Sequence, residues 1–322
     1  MYRQVIAIAA MLLAVSCAKE ESKPQSETQK QQSTAPKVAP FFDGTKAFDY
    51  LTAQTNFGPR AVGTAAHQKC LNFLQTEMQK YAGAVNLQTF THNGYNGEAV
   101  DLTNIISSFN LKATTRILLI AHWDSRSRAE KDQNPKKMDQ PILGANDGAS
   151  GVAILMEIAR HLKATPPAVG IDMLFADGED YGKEDDLESY LLGSKYFAKN
   201  LPQGFNPVYG ILLDMVGDRQ LGIPKESYSL HYAPDIVDLV WSTAKELGVY
   251  QFSDDQQGYI IDDHLPFNEI GIKTIDLIDY DYPDTSNRYW HTTEDTPDKC
   301  SSESLEAVGR VLMTVIYRQL EK

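Results

Sequence analysis

The sequence predicts an α/β fold: a single-domain three-layer α/β/α sandwich around a mixed, mainly parallel twisted sheet. Two observations support this prediction. Continuous apolar runs rich in Ile, Leu and Val recur along the chain, and such runs are typical of strands that are buried on both faces. Other segments carry apolar residues at three- and four-residue spacing, which is typical of helices that cover a sheet.

Three apolar runs predict the central strands, and three amphipathic segments predict the covering helices. The strand segments are RILLIAHWDS (116–125), GIDMLFADGED (170–180) and YGILLDMVGD (209–218). The helical segments are SGVAILMEIARHLK (150–163), PDIVDLVWSTAKELG (234–248) and SLEAVGRVLMTVIYRQL (304–320). Because strands alternate with helices, a mainly parallel sheet is favoured.

The N-terminal segment differs from the rest of the chain. Residues 1–16 contain one arginine and an apolar run too short to span a bilayer, which predicts a signal peptide. The small residues before Cys17 resemble a bacterial lipoprotein signal. We therefore expect an exported lipoprotein anchored in the cell envelope through a lipid on Cys17, with simple secretion or a retained anchor as alternatives. Residues 17–40 almost lack large apolar side chains and predict a flexible tether, and residues 41–322 are predicted to form one domain.

Composition and charge exclude some classes of partner. The chain has 322 residues, a formal net charge of -13 and a pI near 5.0. A polyanion would be repelled, so we expect no binding to nucleic acid and no membrane contact except through the lipid. Besides Cys17 the chain contains Cys70 and Cys300, which is no disulfide framework. Export permits a bond between them, but their positions in sequence say nothing about their distance.

Acidic and imidazole side chains follow the predicted strands at their carboxyl ends, where ligands collect in open α/β sheets. Each has an ordinary explanation when taken alone, such as a helix cap, a turn or a solvated loop. Acids that end three successive apolar runs would, however, crowd like charges into one crevice. The residues in question are His122, Asp124, Asp147, Glu179, Asp180, Asp214, Asp262, Asp263, His264 and His291.

A bound metal ion is the simplest compensation for such crowding. Oxygen and imidazole ligands from scattered strand ends suit zinc, which in catalytic sites takes three protein groups and leaves one position open. Glu179 and Asp180 are neighbours at a strand end and project in different directions. One of them can therefore bind the metal while the other stays free as a general base. Gly178 and Gly182 would allow the backbone turns that hold both acids in place.

These residues make the sequence similar to the zinc-dependent aminopeptidase superfamily, and more closely to its glutaminyl cyclase branch. The resemblance extends from about FDYLTAQTNFGPRAVGT (48–64) to the C-terminus. It rests on six motifs in order, which are AHWDS, GANDGASGVAILMEIAR, DGEDYG, LLDMVGD, DDHLPF and YWHT. The resemblance implies a fold like that of the zinc aminopeptidases.

The resemblance also implies roles for individual residues. Asp147, Asp180 and His291 match the ligands of one zinc ion, and Glu179 matches the catalytic acid and base. Asp180 stands where animal cyclases have glutamate, and a shorter acid can still be a ligand.

Four further positions are implied to surround the zinc. Asp214 and Asp262 match two aspartates that form a hydrogen-bond network beside the metal in cyclases, and they count with the catalytic residues. Trp290 and Tyr190 are expected to line the substrate pocket. The reaction implied is cyclisation of the N-terminal glutamine of a peptide or protein to pyroglutamate with release of ammonia. Separately from the resemblance, we expect a monomer.

Two other functions compete with this one. In a two-zinc aminopeptidase, His122 and Asp214 would hold the second metal, and both residues are present. The DDHLPF segment, the aromatic residue after His122 and the YWHT segment favour the cyclase. A noncatalytic surface lipoprotein that binds peptides is the third possibility, but it would have little physical reason to keep an unpaired Glu179 beside a metal.

Overall fold

A six-stranded sheet lies at the centre of the computed structural model, which describes residues 38–183 and 186–320. In spatial order its strands are β1 (Ala84–Asn93), β2 (Ala99–Phe109), β4 (Gly170–Ala176), β3 (Arg116–His122), β5 (Tyr209–Asp214) and β8 (Thr274–Ile278). Strands β4, β3, β5 and β8 are parallel, whereas β1 and β2 pair antiparallel and β2 is antiparallel to β4. The prediction of a mixed, mainly parallel sheet is confirmed.

Helices flank this sheet, and two further strands form a small second sheet. The helices are α1 (Gly44–Thr55), α2 (Ala65–Tyr81), α3 (Ala149–Ala164), α4 (Leu192–Lys199), α5 (Ser227–Tyr232), α6 (Pro234–Leu247), α7 (Leu265–Glu269) and α8 (Ser302–Arg318). Short 3₁₀ turns occupy Leu187–Ser189 and Pro297–Lys299, and the second sheet pairs β6 (Ile223–Lys225) with β7 (Phe252–Gln256). The segments predicted from the sequence contain β3, β4, β5 and α6 and overlap α3 and α8. Helix α3 extends one residue beyond the predicted 150–163 at each end, and α8 begins and ends two residues before the predicted 304–320.

Side chains of the central strands alternate between two apolar cores, one on each face of the sheet. In β3, Leu119 packs into the larger core with residues of α1, α3, α6 and α8, while Ile120 packs into the smaller one with Phe197 of α4 and Phe267 of α7. Burial on both faces explains why these strands are continuously apolar. The three-layer arrangement is confirmed.

Helix α3 packs closely against the sheet because a glycine faces a strand. A Cβ atom added to Gly151 would lie 2.2 Å from the Leu213 carbonyl oxygen in β5. Only glycine permits so close an approach of the two backbones. The contact sets α3, and the loop before it, directly beside the carboxyl end of β5.

Several predictions concern the ends of the chain and its thiols. Residues 1–37, which include the predicted signal peptide, Cys17 and most of the tether, lie outside the described residues, and the domain boundary at residue 41 stays a prediction. Cys70 and Cys300 are buried free thiols. None of the helices in the described part of the chain has the length and apolar character needed to cross a membrane.

Candidate active site

The carboxyl ends of the parallel strands bring the predicted site residues to one edge of the sheet. His122 ends β3, Asp214 ends β5, and the loop after β4 carries Glu179 and Asp180. Asp147 immediately precedes Gly148, which has φ +85° and caps the start of α3. A Cβ at Gly148 would lie 2.5 Å from His122 Cε1, so the glycine is required where the Asp147 loop passes this ring.

Asp147, Asp180 and His291 form the first group of potential metal ligands. His291 Nε2 lies 3.4 Å from Asp180 Oδ1 and 3.6 Å from Asp147 Oδ2, and one ligand atom from each residue lies within 4.8 Å of the others. His291 has φ +53°, a left-handed conformation that is rare for histidine and that clusters at functional sites. The fold thus brings together three residues of which the first and last, Asp147 and His291, are 144 positions apart in the sequence.

The first group fits a zinc ion by its donors and by an unpaired atom. Asp180 Oδ2 is buried and has no hydrogen-bond partner within the described residues. Burial, followed by the charge of Asp180, raises the pKa of Asp147 to about 7. A carboxyl group with so high a pKa lacks sufficient positive charge nearby, which a metal ion would supply. One imidazole and two carboxylates also form a donor set that zinc accepts.

A second group of potential ligands shares Asp147 with the first. His122 Nε2 lies 3.1 Å from Asp214 Oδ1 and 3.2 Å from Asp147 Oδ1. Burial opposes protonation of this ring, but hydrogen bonds to Asp124, Asp147 and Asp214 raise the pKa of His122 well above its usual value. Both arrangements considered from the sequence, with one metal and with two, are therefore present geometrically.

Glu179 lies in the pocket but belongs to neither group of ligands. Its backbone N–H donates to Asp124 Oδ1 (3.1 Å), and the N–H of Asp180 donates to Asp124 Oδ2 (3.2 Å). Asp124 therefore fixes the backbone from which the two acids diverge. Burial, with the charge of Asp180 second, raises the pKa of Glu179 well above its usual value. A carboxyl group with a raised pKa can both take up and give back a proton near neutral pH.

Asp262 and Asp214 also line the pocket. Burial and the charge of Asp214 raise the pKa of Asp262 well above its usual value. Asp262 Oδ1 accepts a hydrogen bond from the backbone N–H of Asp263 (2.6 Å), and Asp263 accepts from the Ser194 hydroxyl. The pocket has a volume of about 270 Å³, and its lining comprises Glu130, Lys131, Asp147, Glu179, Asp180, Leu187, Tyr190, Asp214, Met215, Ile260, Ile261, Asp262, Ile278, Tyr280, Trp290 and His291.

Comparison with known proteins assigns the segment that carries this site to a protein family. Residues 104–316 match the family model described as Peptidase family M28. The chain belongs to peptidase family M28. The glutaminyl-peptide cyclotransferase of Bothrops jararaca is 25% identical over 268 residues, which cover 72% of this chain and 68% of that protein.

Two solved structures from Bacteroides thetaiotaomicron are more similar still. Its glutaminyl cyclase, bound to N-acetylhistamine, is 40% identical, with a TM-score of 0.84, over 88% of this chain and 100% of that one. A leucine aminopeptidase precursor from the same organism matches with 40% identity and a TM-score of 0.84, over 88% and 99%. The fold and the branch expected from the sequence motifs are confirmed.

Within this M28 site, the two residues expected to contact substrate have different surroundings. The Trp290 ring stacks on the His291 ring, with centroids 3.9 Å apart, and it also contacts Tyr280 at 5.2 Å. The Tyr190 hydroxyl accepts a hydrogen bond from Arg126 Nη2 at 2.7 Å. Both side chains line the pocket, as expected, and their roles toward substrate stay predictions.

Three buried or half-buried residues of this M28 site were not predicted from the sequence. Arg126 contacts the Asp180 side chain, and Glu130 contacts the His291 side chain. Asp295 accepts hydrogen bonds from the backbone N–H groups of Asn146 (2.8 Å) and Asp147 (3.3 Å). These bonds connect the loop that carries Asp147 to the loop that carries His291. No periodicity or motif distinguishes these three residues. The one available signal was the density of charged residues in SRSRAEKD (125–132).

Proposed function

We propose that this chain is a zinc-dependent glutaminyl-peptide cyclotransferase, which converts the N-terminal glutamine of peptides and proteins to pyroglutamate and releases ammonia. The observation that carries the proposal is the position of Glu179. It lies in the pocket beside the Asp147, Asp180 and His291 group, takes no part in that group, and has a raised pKa. The similarity to solved and curated cyclases supports the same conclusion.

The reaction needs one new bond, one broken bond and one proton transfer. The α-amine nitrogen attacks the side-chain amide carbon, and the bond from that carbon to the amide nitrogen breaks. Glu179 takes a proton from the attacking amine and delivers a proton to the leaving nitrogen, which departs as ammonia. No water is consumed, and the attack is intramolecular, so the pocket must hold a conformer ready for ring closure.

The other pocket residues orient the substrate and keep water away. A zinc ion held by Asp147, Asp180 and His291 would polarise the amide carbonyl and stabilise its negative charge. Burial and the charge of Asp214 raise the pKa of Asp262 and so favour its protonated form, which can donate a hydrogen bond, while the Asp214 carboxylate lies at hydrogen-bonding distance from His122. The apolar side chains of Ile260, Ile278 and Trp290 form walls that exclude water from the pocket.

We further propose that the enzyme works with one zinc ion. His122 Nε2 lies 3.1 Å from Asp214 Oδ1 and 3.2 Å from Asp147 Oδ1, so hydrogen bonds to these two acids can occupy the nitrogen that a second metal would need. The rival two-zinc aminopeptidase requires this ring to be neutral and to bind a metal. Metal analysis with a peptide assay separates the two. One zinc per chain with pyroglutamyl product and ammonia supports the proposal, whereas two zincs with free N-terminal amino acids would overturn it.

Exchange of Glu179 tests the catalytic assignment directly. Glu179→Gln should lower kcat by roughly 100- to 10,000-fold while zinc stays bound, because it removes the proton carrier but no ligand. Glu188→Gln, an exposed glutamate on the same side of the sheet in the loop after β4, is the matched control and should keep full activity. An active Glu179→Gln enzyme would show that another group moves the proton.

We also propose that the protein is an exported, monomeric lipoprotein with its lipid on Cys17. The lipoprotein-like segment before Cys17 motivates this proposal. Expression of the full chain in a bacterium, followed by detergent phase partition and mass spectrometry, tests it. The wild-type chain should enter the detergent phase with a lipidated N-terminus, and Cys17→Ser should stay in the aqueous phase. An unlipidated wild-type chain would refute the proposal.

A further inference from the structure

The Arg126 side chain is almost completely buried beside the first group of metal ligands. It is 1% exposed, and its guanidinium donates in three directions. Nε donates to Glu130, Nη2 donates to the Tyr190 hydroxyl at 2.7 Å, and Nη1 donates to the Asp180 carbonyl at 3.2 Å and contacts Asp180 Oδ1 at 3.4 Å. A planar guanidinium can hold several acceptors at fixed angles, which a lysine ammonium cannot do.

Glu130 connects this guanidinium to the ligand histidine. Its Oε1 lies 3.0 Å from His291 Nδ1 and also accepts from Arg126 Nε. An ionised carboxylate can only accept, so the Nδ1 proton of His291 is held by Glu130. The lone pair of the neutral ring is then on Nε2, which is the nitrogen that lies 3.4 Å from Asp180 and 3.6 Å from Asp147.

The contacts close a ring of four side chains: Arg126, Glu130, His291 and Asp180. We propose that Arg126 and Glu130 are a positioning pair that presents His291 Nε2 and Asp180 to one metal ion. The ligands come from separate loops, after β4 and before α8, and Arg126 and Glu130 come from a third loop after β3. The proposal rests on the metal site of the proposed function but not on the reaction assigned to it.

The same guanidinium links the metal site to the substrate pocket. Its Nη2 holds the hydroxyl of Tyr190, a residue that lines the pocket, and its carbon lies 5.1 Å from the centre of the Tyr190 ring. Loss of the pair should therefore act first on metal affinity and second on the pocket wall. Residues around metal ligands typically alter affinity by about 10- to 100-fold when they are exchanged.

Zinc affinity of the full protein provides the decisive measurement. Metal-free protein is titrated with zinc in competition with a coloured chelator, and the visible spectrum of the cobalt form reports ligand geometry. Glu130→Leu should weaken zinc binding by about 10- to 100-fold and shift the cobalt spectrum. Glu130→Gln should recover part of the affinity, because its amide oxygen can still accept from Nδ1–H.

A matched control exists on α3. Glu157 is fully buried and accepts from both His161 Nε2 (2.9 Å) and Arg160 Nη2 (2.6 Å), so it has the same kinds of partner. It is not among the residues of either ligand group or of the pocket. Glu157→Leu should lower stability and leave zinc affinity unchanged. If Glu157→Leu weakened zinc binding as much as Glu130→Leu, loss of any buried glutamate would have this effect, and the proposal would fail.

Two variants cover the case in which Glu130→Leu does not fold. Glu130→Gln and Arg126→Lys keep side-chain size and polarity, and both should bind zinc more weakly than wild type. Wild-type affinity and an unchanged cobalt spectrum in both would overturn the proposal. If the wild-type protein binds zinc but does not cyclise Gln-peptides, the proposed function fails while this metal test keeps its meaning.

Discussion

Substitution of Gly151 by alanine sets helix propensity against packing, and the structure decides which effect is larger. In an isolated helix, alanine is favoured over glycine by about 1 kcal/mol. A Cβ at this position, however, would lie 2.2 Å from the Leu213 carbonyl oxygen, and no real Cβ comes closer than 3.0 Å. Helix α3 would have to move away from β5 by roughly 1 Å, and forced overpacking costs about 1–3 kcal/mol. Because the clashing atom belongs to the backbone, the cost should lie in the upper part of this range, about 2–3 kcal/mol. After the gain of about 1 kcal/mol in helix propensity, we expect Gly151→Ala to lower the free energy of unfolding by about 1–2 kcal/mol.

The same shift should reach the active site. Asp147 lies just before α3 and Asp214 directly follows Leu213, so moving α3 from β5 separates the two acids. A misplacement of about 1 Å can lower kcat/KM by about 100-fold. Urea unfolding and a Gln-peptide assay measure the two effects. Gly258→Ala, where nothing lies within 4 Å of the added Cβ, is the control and should change neither. A Gly151→Ala protein as stable as wild type would refute the packing argument.

Three further predictions concern a wall of the pocket, a buried acid and the metal. Trp290→Ala removes the ring stacked on His291 and should raise KM for Gln-peptides with zinc still bound; an unchanged KM would contradict its role as a pocket wall. Asp279 is buried, and burial raises its pKa to about 8, so the native state holds a proton that the unfolded state loses above about pH 4. The contribution of Asp279 to the free energy of unfolding should therefore fall between pH 4 and pH 8. Asp279→Asn should make the pH dependence of that free energy shallower by up to about 1.4 kcal/mol per pH unit. Equal slopes of unfolding free energy against pH in the wild type and the variant would refute this. Removal of zinc by a chelator should lower Tm reversibly, since the ion binds only the native state, and an unchanged midpoint would exclude a tight metal site.

Sequence patterns predicted the centre of the fold better than its edge. Strands β3, β4 and β5 are buried on both faces, and this leaves continuous apolar runs that are visible without a structure. Strand β1 lies at the edge of the sheet, where half-buried and exposed residues alternate, and its sequence AVNLQTFTHN carries no such run. The antiparallel part of the sheet, β1 with β2, was therefore not located in the sequence.

The site shows the same division between local and distant signals. Asp147, Asp180 and Asp214 could be proposed as a cluster because parallel strand ends and helix starts share one edge of a sheet, so their positions follow from topology. Glu130 acts on His291, which lies 161 residues away, and the contact depends on side-chain angles in two irregular loops. Loops of this kind follow no period, so their pairings cannot be read from spacing.

The placement of positive charge distinguishes the two ligand groups and bears on the number of metal ions. In the second group, His122 Nε2, the atom that would bind a metal, lies 3.1 Å from Asp214 Oδ1 and 3.2 Å from Asp147 Oδ1. In the first group, Arg126 contacts the Asp180 carboxylate but is not one of the three ligand residues, and Glu130 holds the Nδ1 side of the His291 ring. A positive charge beside the ligands leaves their lone pairs free for a metal, whereas a proton on a ligand nitrogen uses up the lone pair that a metal needs. In the first group that positive charge is Arg126, so the charges around Asp180 and His291 support a metal there, as the one-zinc enzyme proposed above requires.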